Sequence, residues 1–345
     1  GGSMVINVVN YFYHLLMGRV LGPVDYGILA SVYSILYIVS IIPSSASISI
    51  VKFISSAKDS KEKSEIYIAI NHFVIRLALV LSIVMVFLSP FISRFLNISN
   101  NSIVLLIAPV LFFSLITLIN VSTSQGVLKF MGVVVPSFVS SVVKLVLGLA
   151  LIWAGFSVLG AMWAIVIAAL VSYLVSRKMI VAYIDTKVNS NNYHLKSFYK
   201  YSIPVLIQAF AFTSFFTIDV ILVKHFFSPF DAGIYAALST LGKIVFFASS
   251  PITAVMFPIV SGRYTKGEKY KKILLASIGA TAIISFGVVF IYFLFPNIAI
   301  SALYGKSYLS ASSSLVWMGL FIAFYTVSYL LTNFFLSIGK TNIVY

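Results

Sequence analysis

Four charged residues stand inside long apolar runs of this chain: Arg76, Lys144, Asp219 and Lys243. Counted along a helix at about 1.5 Å per residue, each lies roughly 12–16 Å from the nearest polar end of its run. That depth is close to the midplane of a hydrocarbon core about 30 Å thick. A charge there is costly and normally faces a partner or a water-filled cavity. Three bases against one acid suit an anion, and two or three cations together would suit a diphosphate. Asp219 and Lys243 fall on consecutive antiparallel segments at similar depth, which allows a coupling or structural ion pair. His72 precedes Arg76 by one helical turn and shares its face. The plain alternative is structural: Lys243 satisfies Asp219, Arg76 and Lys144 snorkel or bond backbone carbonyls, and His14 and His72 are packed histidines. Arg19, near the end of the first run, either guards a cavity mouth or meets lipid headgroups.

These residues need membrane helices to carry them. Apolar residues make up 61% of the 345 and charged residues 9%, with a mean hydropathy of +1.08. A soluble domain carries about 25% charged residues, so the composition is that of an integral membrane protein. Runs of about 20 apolar residues, enough to span the core, occur at 4–21, 28–54, 66–95, 103–128, 133–154, 158–183, 198–227, 234–260, 273–300 and 312–338. The expected fold class is therefore an all-α polytopic membrane protein with ten or more transmembrane helices. No linker is long enough for a soluble domain. The opening Gly1-Gly2-Ser3-Met4 reads as a remnant ahead of a first run that lacks the features of a signal peptide.

An internal repeat divides the chain. Pro23, Asp25, Gly27, Ile28 and Ala30 recur as Pro229, Asp231, Gly233, Ile234 and Ala236, each 206 residues later. The motif reads as a short turn: proline fixes φ, aspartate can bond nearby backbone, and glycine frees the entry to the next helix. The polar stretch around 185–200 is the natural boundary. It predicts an N-terminal lobe of about six helices (1–190) and a C-terminal lobe of about four helices plus the start of a fifth (198–345). The second lobe is thus expected to be incomplete. The two turns are six spans apart, so the pseudo-symmetric lobes point the same way through the membrane, as in parallel-repeat transporters.

The basic residues orient the chain. Sixteen of the 23 Lys and Arg follow the even-numbered spans, while Arg19, Arg94, Lys224 and Lys306 fall in the opposite loops. The positive-inside rule puts the even loops and the N-terminus in the cytoplasm and the repeated turn outside. On this reading the net charge of +15 reports topology and not nucleic-acid binding. With no cysteine, thiol chemistry and thiolate metal sites are excluded. No P-loop and no His/Asp/Glu cluster with metal spacing occurs, so neither enzyme chemistry nor a cofactor is expected.

Several segments resemble a known family. Arg19-Val20-Leu21-Gly22-Pro23 followed by Asp25-Tyr26-Gly27 is similar to its opening signature. Asp219, then Gly233-Ile234-Tyr235-Ala236-Ala237, then Lys243, resembles the start of its second half, and Leu303-Tyr304-Gly305 with Tyr308 resembles a later turn. The family is that of the Wzx-like oligosaccharide and polysaccharide lipid flippases, a branch of the multidrug/oligosaccharidyl-lipid/polysaccharide exporter superfamily. The resemblance implies two lobes of the MATE type and alternating access. It implies movement of a polyprenyl-(di)phosphate-linked oligosaccharide from the cytoplasmic to the outer leaflet of the cell membrane, for surface polysaccharide or glycan biosynthesis. Its partners would be that substrate, membrane lipids and glycan polymerisation or transfer machinery. Cationic lumen residues hold the anion in that family; the matching positions are Arg76, Lys144, Lys243 and Arg19. Two other classes stay open. A cation antiporter of the same superfamily would favour acidic lumen residues. A membrane polysaccharide polymerase or ligase would need a large outer loop.

Overall fold

The computed structural model describes residues 2–57, 59–185, 196–265 and 267–338. The centre of the interlobe linker and the segment 339–345, where a further span is expected, lie outside these residues. Every described element is helical, and each of the ten apolar runs lies in helix. Seven described stretches are long and apolar enough to cross a membrane, and Met131–Ile180, at 50 residues, is long enough for two passes. The protein is an all-α, multi-pass membrane protein.

The first compact unit comprises residues 1–229. It holds α1 (Gly2–Val39), α2 (Ile41–Ser56), α3 (Ser60–Phe95), α4 (Asn101–Leu105), α5 (Ile107–Gly126), α6 (Met131–Leu151), α7 (Ser157–Ile180) and α8 (Lys196–Phe226). Within it α1 packs on α6, α3 and α7 pack on α5, α6 packs on α7, and α8 packs on α1 and α2. Sequence explains the ends. Asp59 caps α3, its carboxylate accepting from the Glu62 backbone N–H at 2.7 Å, and Asn100 caps α4 in the same way through Ser102 at 3.0 Å. At 36 residues, α3 is about 54 Å long. It outruns the hydrocarbon core, and its surplus is the charged first turns that carry Lys61, Glu62, Lys63 and Glu65.

The repeated motif is not the turn expected of it. In the first copy the chain breaks at Gly22, inside α1, with φ 73 and ψ 175. Pro23 opens the helix that follows, and Asp25 and Gly27 lie within that helix. In the second copy Pro229 is the first residue of α9 and Asp231 and Gly233 lie inside it. Proline suits a first helical turn, where its missing N–H leaves no bond unmade. The break therefore sits one residue ahead of the proline. Gly22 occupies a region essentially closed to residues with a Cβ, although no neighbouring atom would touch one. Gly22→Ala is expected to cost about 1–3 kcal/mol from backbone strain alone, read as a lower unfolding temperature in detergent.

Asp25 bonds tertiary structure and not its own turn. Its carboxylate accepts from the Ser157 hydroxyl. Ser157 opens α7 after a π-helical stretch, Ile152–Phe156, and holds a strained φ of 45. The bond ties the α6–α7 corner to the break in α1. Asp25→Ala should release that corner and cost about 1.5–3 kcal/mol, the usual worth of a hydrogen bond to a charged group. Asp25→Asn, which keeps an acceptor, should cost less in the same thermal unfolding measurement.

The second unit, residues 230–345, holds α9 (Pro229–Thr265), α10 (Lys271–Leu294), α11 (Pro296–Leu303) and α12 (Ser312–Ser337). The Tyr292 hydroxyl donates to the Leu241 carbonyl at 2.8 Å, and Ser249 and Ser285 share a hydrogen bond of 2.9 Å. These bonds join α9 to α10, and α10 packs on α12. Tyr304 and Tyr308, the tyrosines of the third family-like segment, are both 1% exposed with ring centroids 5.2 Å apart. That segment is a packing motif.

Candidate anion site

One of the intramembrane charges sits in a built environment. Lys144 lies on α6, seven residues before its last residue, Leu151. Its ammonium donates to the Asn10 side-chain carbonyl at 2.7 Å. It also lies over two aromatic rings, 4.5 Å from the Tyr13 centroid and 5.6 Å from that of Tyr33. Asn10 and Tyr13 are one turn apart on the first half of α1, with His14 next along, and Tyr33 comes from the half beyond the Gly22 break. The break thus folds α1 back so that both of its halves supply walls of one cage. The His14 ring contacts Tyr33 at 4.6 Å and Tyr13 at 5.6 Å. The site needs a small residue on α6 as well. A Cβ on Gly148, one turn beyond Lys144, would stand 3.2 Å from a Tyr13 ring carbon.

The electrostatics of the cage are one-sided. Its partners for Lys144 are an amide dipole and two ring faces, and no carboxylate is among them. A cation over an aromatic ring gains roughly 0.5–2 kcal/mol. Taking an ammonium out of water costs several kcal/mol. The cage holds the cation in place without neutralising it. An ammonium so held is suited to an anion.

None of the other sequence candidates is among the described partners of Lys144. Arg76 and His72 are exposed on α3, which packs on α5 and not on α6. Arg76 and Lys144 share no side-chain partner among the described residues. Arg19 is exposed, three residues before the break in α1. Asp219, half-buried on α8, belongs to the first unit, and Lys243, half-buried on α9, belongs to the second. Sequence reading missed Asn10, Tyr13 and Tyr33. Their trace was present as an i, i+3 polar pair in an otherwise apolar run. Lys224 was assigned to an outer loop; it lies instead in the last turn of α8 and is 3% exposed.

A second polar cluster ties the far ends of three helices of the first unit. The Arg177 guanidinium donates to the Tyr67 hydroxyl at 2.9 Å, Tyr67 donates to the Asn120 side-chain carbonyl at 2.8 Å, and the Asn120 amide donates to Ser176 at 3.0 Å. Ser176 passes its own proton to the Tyr173 carbonyl at 2.9 Å. Each member has at least one partner within the cluster, an arrangement that fixes a packing geometry.

The chain belongs to the polysaccharide biosynthesis protein family, whose model matches residues 16–313. Its fold is that of the multidrug/oligosaccharidyl-lipid/polysaccharide exporter superfamily. It is similar to the lipid II flippase MurJ in an inward closed conformation, with a TM-score of 0.78 at 15% identity over 99% of this chain and 77% of MurJ. A superfamily transporter from Pyrococcus furiosus, described as having a binding pocket of reverse polarity, matches with a TM-score of 0.71 at 15% identity over 99% of this chain and 81% of that one. The eukaryotic MATE transporter AtDTX14 matches with a TM-score of 0.70 at 15% identity over 98% and 80%. No curated protein matches the chain. The likeness to flippases suggested by Arg19–Gly27, Asp219–Lys243 and Leu303–Tyr308 is thereby borne out at the level of family and fold.

Proposed function

We propose that this protein moves a lipid-linked oligosaccharide, carried on a polyprenyl phosphate or diphosphate, from the cytoplasmic to the outer leaflet of the cell membrane by alternating access. The observation that carries the reading is Lys144, a cation inside an apolar helix whose partners among the described residues are all neutral. An anionic headgroup supplies the missing charge and lowers the cost of taking the phosphate through the hydrocarbon core. The sugar travels in a polar cavity while the polyprenyl tail stays in lipid. Arg76, Lys243 and Arg19 are further contacts along the path, and Asp219 is a coupling residue or the partner of Lys243. The two repeats, 1–190 and 198–345, are the moving halves, with the even loops and the N-terminus in the cytoplasm. Glycan polymerisation or transfer machinery consumes the product.

The test is complementation of a flippase-deficient strain by the full-length protein, together with flipping of a fluorescent polyprenyl-diphosphate sugar in proteoliposomes. Loss of both in Lys144→Met with normal expression supports the reading, and full activity in that variant overturns it. Export of cationic compounds is the second reading, favoured by Asp219 and by the fold shared with MATE transporters. It predicts that Asp219→Asn abolishes export of a cationic dye while Lys144→Met leaves it intact.

A further inference from the structure

The C-terminal ends of α3 and α8 cap each other. The last carbonyls of a helix have no partner inside it and must find one elsewhere. Phe95 is the last residue of α3, and its carbonyl meets the His225 Nδ1. A carbonyl can only accept, so Nδ1 carries the proton. His225 is the next-to-last residue of α8, and its own carbonyl accepts from the Asn97 side-chain amide at 2.9 Å. The Phe95 and His225 rings stack beside these bonds, with centroids 4.1 Å apart and an interplanar angle of 3°. Local sequence builds both ends. α3 stops in a Schellman turn, in which the Ile98 N–H reaches the Ser93 carbonyl at 2.9 Å and the Asn97 N–H that of Arg94 at 3.2 Å. Asn97 is left-handed there, at φ 51, a region that asparagine takes more readily than most residues with a Cβ. Its neighbours Leu96 and Ile98 are buried, while Asn97 itself is exposed. α8 stops ahead of Pro229, which opens α9.

By sequence α8 opens the second repeat, yet it packs on α1 and α2 and belongs to the first compact unit. A seam between the repeats therefore runs inside that unit, and the α3–α8 contact fastens one end of it. Two helices finish there with their negative dipole ends side by side, which is unfavourable by itself; the reciprocal bonds offset it. Both bonds are exposed. Water can take over each donor and acceptor when the ends part, so opening is an exchange of hydrogen bonds and not a loss of them. The Tyr67–Asn120–Ser176 cluster is the contrast. Tyr67 and Asn120 are each 1% exposed, and breaking that tie strands buried groups. The physics of the first contact suits something that opens and closes, and that of the second suits something that stays shut.

We propose that Phe95, Asn97 and His225 form a reversible latch across the seam between the repeats, shut in this structure and released when the protein opens toward the outer leaflet. The transport cycle and the topology that put this end outside rest on the function proposed above; the latch as a breakable closure of the seam does not. On the positive-inside topology the C-terminal ends of α3 and α8 both face outward. Two exposed bonds and one ring stack hold the ends together without trapping them. Removing one bond should shift the balance of shut and open forms about fivefold.

The experiment uses the full-length protein in proteoliposomes. The 345 residues hold no cysteine, so Ser99→Cys and Phe227→Cys, both at exposed positions beside the latch, add a labelling pair while keeping every latch residue. A short, reducible bis-methanethiosulfonate should join the pair and stop flipping of a fluorescent polyprenyl-diphosphate sugar, and a reducing agent should restore it. Spin labels on the same pair read the seam without substrate. Asn97→Gly, which keeps the left-handed turn and loses only the amide, should raise the population of long separations about fivefold. His225→Ala, which loses a bond and the stack, should raise it further. A joined pair that flips at the full rate overturns the latch, because α3 and α8 then move as one body. So does a pair that cannot be joined, and so do label separations unchanged in both variants. If the separations respond but the unjoined protein flips nothing, the latch stands and the transport reading fails. If joined and unjoined proteins flip alike, the transport reading stands and the latch fails.

Discussion

Asn10→Asp should abolish transport as completely as Lys144→Met. The substitution exchanges an amide for a carboxylate of the same size, 2.7 Å from the Lys144 ammonium. It supplies the negative charge that the cage lacks and turns the site into a closed ion pair. The fold should be preserved, because a buried cation gains a partner and loses none. An incoming phosphate must then displace a carboxylate instead of an amide. A hydrogen bond to a charged group is worth about 1.5–3 kcal/mol, so the substrate should bind roughly ten- to a hundredfold more weakly. Asn10→Ser, which keeps a neutral acceptor, should retain most activity. The contrast between these two variants, in complementation and in flipping by proteoliposomes, reads the charge of the site apart from its shape. Active Asn10→Asp protein would remove Lys144 from the substrate path. Arg76→Ala in the same assays asks whether the exposed face of α3 contributes, and full activity there takes Arg76 out of the site.

Asn120→Ala should give the largest loss of stability among single side chains. Asn120 is 1% exposed and bridges Tyr67 on α3 to Ser176 on α7. Removing its amide strands the Tyr67 hydroxyl proton, leaves Ser176 without its donor and opens a cavity. At about 1–3 kcal/mol for each stranded buried group, the total is about 2–5 kcal/mol. Thermal unfolding in detergent should fall by several degrees. Tyr67→Phe removes one hydroxyl, leaves Asn120 its bond to Ser176, and should cost less. An Asn120→Ala protein as stable as wild type would show that the network ties nothing together. Because the network shares no residue with the cage, the loss should appear in stability before it appears in substrate affinity.

Much of the architecture was legible because it depends on quantities that run along the chain. Hydropathy and run length place helices without knowledge of what they touch, and all ten runs are helical. The repeat, too, was visible from residue types alone. Its conformation was not. Proline, aspartate and glycine in close order suggest a turn, and only the backbone shows that the break precedes the proline and that Asp25 reaches Ser157, 132 positions away. Lys144 stood out because a charge in an apolar run is conspicuous. Lys224 did not, because near the end of a run a lysine counts as a loop residue, whatever packs over it.

The sequence by itself determined that this is a polytopic helical membrane protein with a repeated motif, a basic balance and a lysine inside a long apolar run. These follow from composition and spacing, which the bilayer constrains directly. Tertiary structure alone decided what that cation meets. Asn10 and Lys144 are 134 positions apart, and Tyr33 joins them only because α1 breaks at Gly22. Whether a buried charge is neutralised or held in reserve depends on which side chains lie within a few ångströms of it, and no linear spacing records that distance.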